Sequence, residues 1–155
     1  MIRKKGIIFI GIIGLLGLFS SPSAATTDSK TLRRDKIGLT VETPAGLTRL
    51  EIWNENTIRV LHTPTQELPK NSSMTVIAKP QKVKWQLQDN EDFVMLRTAK
   101  LQTCVDKATG RVCFMKGNGE MILAEFVNGA SFESAKVGDT ATYCVKQQFE
   151  FDPQE

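Results

Sequence analysis

Length, composition and charge exclude several classes of protein. The chain has 155 residues, of which 41% are hydrophobic and 24% charged, and its formal net charge is +3. Residues 1–25 contain three basic and no acidic residues, so residues 26–155 are neutral overall and lack the basic surface of a nucleic-acid-binding protein. The 130 residues after position 25 suit one domain but not a (β/α)₈ barrel, which needs about 200–250 residues.

Residues 1–25 have the organisation of a secretory signal peptide. A basic start precedes a 14-residue apolar run, Gly6–Phe19, and the small residues of Ser20–Ala25 follow, which is the order of a cleavable signal-peptide helix. A membrane anchor is the alternative, but a spanning helix needs roughly 20 apolar residues. The sequence therefore predicts cleavage after Ala25, or after Ala24, a secreted or periplasmic location, and no membrane association after cleavage.

Most of the remaining chain has the pattern of β-strands. Thr26–Lys36 is polar without an apolar period, so it predicts a flexible leader, with order beginning near Ile37. From there apolar runs recur about every ten residues with turn residues between them, which predicts an all-β antiparallel sandwich as one domain over residues 37–155. The predicted strands are Ile37–Glu42, Leu47–Trp53, Thr57–Thr63, Met74–Ala78, Val83–Leu87, Phe93–Thr98, those of a meander over Leu101–Glu125, and Thr142–Phe151.

The meander is the clearest local signal. Apolar and polar residues alternate on both sides of Asp106–Gly110, and Gly117–Gly119 separates the second strand of the meander from the third. Aspartate favours turns through its own backbone, and glycine accepts a positive φ, as a hairpin loop of four or five residues requires. The sequence therefore predicts two consecutive antiparallel hairpins, with Val105 opposite Val112.

The three cysteines lie in a chain predicted to enter an oxidising compartment. In the predicted register Cys104 faces Cys113 on the side of the sheet opposite Val105, and directly opposed cysteines can form a disulfide. The alternative is two buried free thiols. Cys144 remains unpaired in either case, and no metal site is predicted because the spacings are not those of ligand pairs and His62 is the only histidine.

No catalytic set can be assembled from the sequence. His62 has no partner in a nucleophile motif, and the glycine-rich stretch belongs to the signal peptide, so neither nucleophilic catalysis nor a nucleotide cofactor is predicted. Glycoside hydrolysis needs two carboxylates across a sugar. The carboxylates of Asp89–Asp92 and Glu150–Glu155 form clusters along the chain, but we interpret them as solvated surface charge. We therefore predict no catalytic, cofactor-binding or metal-binding residues.

Two tryptophans and one strand raise the question of partners. Trp53 and Trp85 could stack on a sugar, with Tyr143 as a third candidate, but core or interface packing is the alternative for both indoles. In Thr57–Thr63 apolar residues fall on both faces, Val60 on one and Leu61 on the other. A sandwich interior accounts for one covered face, and a further domain packed outside would account for the other.

A series of short motifs occurs in order along the chain. They are Leu50-x-Ile52-Trp53, Ile58-Arg59-Val60, Thr63-Pro64, Leu96-x-Thr98-x-x-Leu101, Val105-Asp106-x-x-Thr109-Gly110-x-Val112-x-Phe114, Gly119, Leu123-x-Glu125 and Gln148-Phe149. In this order and spacing they resemble the N-terminal β-sandwich domain, of galactose-mutarotase type, of glycoside hydrolase family 31, which includes secreted α-xylosidases and α-glucosidases. The resemblance covers about Ile37 to Glu155.

The resemblance implies a supporting role. In such enzymes the sandwich precedes a (β/α)₈ barrel that carries an aspartate nucleophile and an aspartate general acid, and neither aspartate has a counterpart here. Because the chain stops at Glu155, we expect a fragment, inactive alone, that supports the absent barrel and contributes to its sugar pocket. The alternatives are a free-standing module of the cell envelope that binds oligosaccharides, and a structural sandwich that binds another protein.

Overall fold

The computed structural model describes residues 32–70 and 76–151, and within them the regular structure consists entirely of β-strands. All the pairings are antiparallel, which confirms the predicted all-β antiparallel class, whereas the predicted signal-peptide helix lies outside the described residues. The strands are β1 (Leu32–Arg34), β2 (Gly38–Thr43), β3 (Gly46–Asn54), β4 (Thr57–Thr63), β5 (Gln86–Asp89), β6 (Phe93–Arg97), β7 (Leu101–Asp106), β8 (Val112–Lys116), β9 (Met121–Glu125), β10 (Ser131–Val137), β11 (Thr140–Lys146) and β12 (Phe149–Phe151).

Three sheets are formed by these strands. One has the order β1-β2-β3-β4, the second has the order β12-β9-β8-β7-β6-β5, and β10 pairs with β11 as a two-stranded ribbon. The two larger sheets share one apolar core, in which Leu39 and Leu50 come from the first sheet and Val94, Leu96 and Val105 from the second. Because side chains alternate between the faces of a strand, the inner positions of each sheet follow directly from this core.

The predicted meander forms β7, β8 and β9, and its register is the predicted one, with Val105 opposite Val112. The first turn forms as its chemistry requires. The Asp106 carboxylate accepts hydrogen bonds from the N–H groups of Ala108 and Thr109, at 2.9 and 2.8 Å. Gly110 has a φ of 78°, a left-handed conformation that glycine adopts without a Cβ clash. Local side-chain chemistry therefore specifies this hairpin.

Two of the three cysteines, Cys104 and Cys113, lie on the outer face of the six-stranded sheet. Cys104 lies opposite Cys113 in the register, and the structure joins them in a disulfide with a Cα–Cα distance of 5.2 Å. Cys144 lies on β11 as an exposed free thiol. The disulfide therefore links the two strands of one hairpin and leaves the inner, core-facing positions to apolar residues.

The segment predicted to be a flexible leader contains a strand. β1 pairs with β2, and the Leu32 side chain is only 1% exposed within the core, so the prediction that order begins near Ile37 is wrong. Arg34, at the end of β1, places its guanidinium 4.1 Å from the centre of the Trp85 ring. A strand of three residues with one apolar side chain is too short to show an alternation of apolar and polar residues. It is ordered by its pairing with β2.

Three other strand predictions need correction. Residues 76–78 of the predicted strand Met74–Ala78 are not in a strand, and its first two residues lie outside the described chain. The strand predicted at Val83–Leu87 begins only at Gln86, and the one predicted at Thr142–Phe151 is interrupted at residues 147–148. The sequence also missed β10, whose residues make no apolar alternation because the ribbon encloses no core of its own.

One part of the outer face of the four-stranded sheet, around Arg49, is buried by the chain itself. Arg49 on β3 has a side chain only 6% exposed, and it pairs with Asp35 at 2.8 Å. Residues 66–68 lie beside this face and line a charged cleft of about 570 Å³ together with Thr40 and Arg49. A further domain is therefore not needed to explain burial at this part of the outer face.

Candidate functional site

The only histidine of the chain lies between the two large sheets. His62, near the end of β4, places Nε2 2.9 Å from Oε1 of Glu125, the last residue of β9. Its Nδ1 lies 3.0 Å from Oγ1 of Thr48 on β3. Since β4 and β9 belong to different sheets, this hydrogen bond joins the two layers at one edge of the core.

Glu125 is the centre of the cluster and is 1% exposed. The backbone N–H of Val112 donates to Oε2 at 2.8 Å, and Nε2 of Gln147 donates to Oε1. Nε of Arg111 donates to the backbone carbonyl of Glu125. The carboxylate therefore accepts hydrogen bonds from three donors that belong to β4, β8 and the segment between β11 and β12.

The charge of Glu125 is set by two opposing effects. Burial is the larger single effect and raises the pKa of the carboxyl group, because a buried charge loses its hydration. The hydrogen bond and charge of His62, with the hydrogen bonds from Gln147 and Val112, lower that pKa, and together they hold it below its usual value. The cluster therefore stabilises the ionised form of a buried glutamate.

This arrangement supports no catalytic step. The cavity beside His62 and Thr48 has a volume of about 10 Å³, which is room for about one water molecule and not for a sugar ring. Glycoside hydrolysis needs a second carboxylate facing the first across the substrate. Glu150 is the carboxylate that lies three residues after Gln147, and it forms an ion pair with Arg111. We interpret the His62–Glu125 cluster as a structural site.

The two tryptophans have separate environments. Trp85 packs against the core, and the guanidinium of Arg34 lies over its ring. Trp53, the residue before the last in β3, is half-buried, and its indole Nε1 is enclosed without a hydrogen-bond partner among the described residues. Tyr143 lies on the ribbon in edge-to-face contact with Phe132, with the ring centres 6.2 Å apart. The described contacts of Trp85 and Tyr143 are therefore with Arg34 and Phe132, and not with another candidate ring.

The carboxylate clusters of the sequence do not form a site either. Asp89 pairs with Lys107 at 2.7 Å, whereas Glu91 and Asp92 are exposed. Residues 152–155 lie outside the described chain. Among the described residues no group of three or more histidine, cysteine, aspartate or glutamate side chains could hold a metal ion.

Glu125 is the functional candidate that reasoning from the sequence missed. In the sequence it stands only at the end of the motif Leu123-x-Glu125, which indicates no role for it. The available signal was its position, because Glu125 shares the inner face of β9 with Leu123, where an apolar residue is expected. A carboxylate at an inner-face position requires buried partners, and these are separated from it by up to 63 residues in sequence.

The fold and site define an all-β antiparallel domain with a buried polar cluster and no assembled catalytic centre among the described residues. A scan of the chain against protein-family models found no match. The chain is 26% identical over 87 residues to alpha-glucosidase 2 of Bacillus thermoamyloliquefaciens, a match that covers 56% of this chain and 11% of that protein.

A comparison with solved structures finds a related glycosidase over more of the chain. The crystal structure of a GH31 alpha-xylosidase from Xanthomonas citri aligns with a TM-score of 0.71 and 26% identity, covering 78% of this chain and 14% of that one. Together the two matches confirm the predicted resemblance to glycoside hydrolase family 31, and the all-β fold is consistent with an N-terminal domain of such an enzyme. The chain spans less than one sixth of the length of either relative.

One further observation concerns membranes. Among residues 32–70 and 76–151 there is no helix that is long and apolar enough to cross a bilayer.

Proposed function

We propose that this chain is the non-catalytic N-terminal sandwich domain of a secreted family 31 glycosidase, and that it supports a (β/α)₈ catalytic barrel. The two relatives are an alpha-glucosidase and an alpha-xylosidase, so we assign the whole enzyme to α-glucosides or α-xylosides. The small share of each relative that the chain matches supports a role as one domain of a larger enzyme.

The observation that carries this proposal is an uncovered apolar stripe on the six-stranded sheet. Leu123 pairs with Phe114 on one side and with Phe151 on the other, so all three lie on the face that bears the core. Phe149 lies on the same face of β12, since residues two apart on a strand point the same way. Phe149 is 47% exposed and Phe151 is 70% exposed.

The stripe exists because the two sheets differ in width. The outermost strand, β12, lies beyond β9 in a six-stranded sheet that faces a sheet of only four strands. Contiguous exposed apolar surface of this kind is typical of an interface with another body. We therefore assign the stripe formed by Leu123, Phe149 and Phe151 to contact with the rest of the enzyme.

The first experiment reads the nucleotide sequence after the codon for Glu155 and measures activity of the purified chain. We expect an open frame that continues into a barrel with catalytic aspartates, and no release of aryl aglycone from aryl α-xylosides or α-glucosides above a blank. The Xanthomonas citri enzyme serves as the positive control. Release of aglycone by this chain alone would refute the non-catalytic assignment.

A sugar-binding module is the competing function, and the surroundings of the tryptophans count against it. Stacking on a pyranose needs a free ring face, but the Arg34 guanidinium occupies one face of Trp85. Titration with xyloglucan oligosaccharides and malto-oligosaccharides, followed by tryptophan fluorescence, should show no saturable change. Saturable quenching that is lost in the W53F or W85F variant would establish the module instead.

The location is tested separately. We propose that cleavage after Ala25 or Ala24 releases the chain into the periplasm or the medium. Mass spectrometry of the exported protein should find Thr26 or Ala25 at its N-terminus. An intact N-terminus on membrane-bound protein would show that residues 1–25 are an anchor.

A further inference from the structure

The ribbon of β10 and β11 stands apart from the two large sheets in its strand pairing. The two strands pair with each other along their length, from Ser131 opposite Lys146 to Val137 opposite Thr140, and with no other described strand. Val137 near the tip is 73% exposed. A two-stranded ribbon is marginally stable by itself in water. Its orientation therefore depends on the contacts made where it joins the body of the domain.

Both ends of the ribbon meet at Glu125. The chain leaves β9 after Glu125, and the N–H of Phe126 donates to the carbonyl of Gln148 at 2.8 Å, which closes the base. The N–H of Gly129 donates to the carbonyl of Phe126 at 2.8 Å and shapes the turn into β10. Gln147, directly after β11, donates its side-chain amide to the Glu125 carboxylate. Glu125 is thus the last residue of the strand that leads into the ribbon, and its buried carboxylate contacts Gln147, where the chain returns from the ribbon.

The hydrogen-bond chemistry at this point depends on charge. The ionised carboxylate only accepts hydrogen bonds, and it faces three donors, from His62, Gln147 and Val112. A neutral carboxylic acid carries a proton that needs an acceptor, yet the Val112 N–H is a fixed backbone donor. Neutralisation removes the charged acceptor of the Gln147 amide and so weakens this contact, and Gln147 is the one partner of the three that lies outside the paired strands of the two large sheets.

We propose that the Glu125 carboxylate is a charge-dependent latch, which fixes the β10–β11 ribbon to both large sheets and releases the ribbon when Glu125 is neutralised. The charged and titratable groups around it are His62 on β4, Arg111 before β8, which bonds the Glu125 backbone carbonyl, and Glu150 on β12, which pairs with Arg111. Only proton uptake by Glu125 itself opens the latch.

The pH at which the latch opens follows from the surroundings of the carboxylate. Because the hydrogen bonds outweigh burial and lower the pKa of Glu125, the ribbon remains fixed at neutral pH and is released only below the usual range of a glutamate. The proposal concerns motion within this chain and does not depend on the partner assigned to the domain.

The test is hydrogen–deuterium exchange of the full chain at pH 7, read by mass spectrometry, on the wild type and the E125Q variant. Loss of a hydrogen bond to a charged group should raise exchange about 10- to 100-fold in residues 126–130, 147–148 and the ribbon, while β2 and β3 keep their protection. The E133Q variant is the matched control, because Glu133 is an exposed carboxylate of the ribbon that pairs with Lys146. It should exchange as the wild type does at the ribbon base.

A second variant and a pH series test the latch even if the E125Q variant does not fold. Gln147→Ala removes only the partner on the ribbon side, so it should raise exchange at the same base while the His62–Glu125 contact remains. Acidification should bring the wild type to the pattern of E125Q and leave E125Q unchanged at the base, after correction for intrinsic exchange rates. Unchanged protection in both variants, or an equal rise in every strand, would overturn the latch.

Discussion

Removal of the Cys104–Cys113 disulfide should destabilise the domain by an amount that its loop length sets. The two cysteines are nine residues apart, so the crosslink closes a loop of about ten residues. Loop-closure entropy for that length is about 2.7 kcal/mol at 25 °C. At roughly 3–5 °C per kcal/mol for a domain of this size, the C104A/C113A variant should melt about 8–13 °C below the wild type.

The assay is urea unfolding and thermal melting of the wild type and the double variant, with intact mass reporting whether the two thiols are oxidised. Alanine is the suitable replacement because Cys113 is buried, and a serine hydroxyl there would add its own cost. C144A is the control, since Cys144 is exposed and free, and its stability should match the wild type within about 0.5 kcal/mol.

Two results would refute this reasoning. A loss below about 1 kcal/mol would mean that the turn at Asp106 and Gly110 already holds the reduced hairpin together in the unfolded chain, so that the crosslink removes little entropy. A wild-type mass with all three thiols reduced, from protein exported to an oxidising compartment, would mean that the bond does not form.

Three further predictions follow from the same structure. The folded state lowers the pKa of Glu125, so its contribution to stability is present above the usual glutamate pKa and is lost as the pH falls through the lowered value; E125Q should flatten this acid limb in urea unfolding at a series of pH values, and an unchanged limb would contradict the assignment. Because the stripe is exposed in the isolated chain, we expect the chain to self-associate through it. Replacing Phe149 and Phe151 with serine should reduce the associated mass measured by light scattering, whereas V137S at the exposed ribbon should not, and equal effects of the two changes would show that the stripe is not the cause. Gly38→Ala should cost about 3 kcal/mol or more in unfolding free energy, because a Cβ there would lie 1.9 Å from a backbone carbonyl oxygen of β3, and a smaller loss would show that the strands can separate at that point.

The meander was predictable because its determinants are local. Asp106 and Gly110 supply the turn, and alternation then places Val105 opposite Val112 and the cysteines on the other face. The same alternation predicts which residues enter the shared core. Local side-chain chemistry therefore suffices for this hairpin, where the turn residues and the apolar alternation of both strands indicate the same register.

The elements that the sequence missed either lack an apolar alternation, as β1 and β10 do, or depend on partners distant in sequence, as the His62–Glu125 pair does. β1 contributes one buried side chain, Leu32, and is ordered by pairing with β2. β10 has no core to impose a period on its residues, so its pattern resembles that of a loop. His62 and Glu125 are 63 residues apart, and no local spacing indicates that they meet. In each case the information lies in the tertiary arrangement.

The polar cluster and the apolar stripe are neighbours, and their order across the sheet indicates where the domain's own core ends. Glu125 on β9 lies directly opposite Phe149 on β12, and it faces His62 on β4, the last strand of the four-stranded sheet. The inner face thus changes from the dry core to a hydrogen-bonded polar pair, and then to exposed phenylalanine rings on β12. In that row the domain's own core ends at the polar pair, and Phe149 lies beyond it. In the neighbouring row Phe151 lies beyond the half-buried Leu123 and is itself mostly exposed. Their burial requires a second body, and substitutions there should alter association while leaving the unfolding free energy within about 0.5 kcal/mol of the wild type.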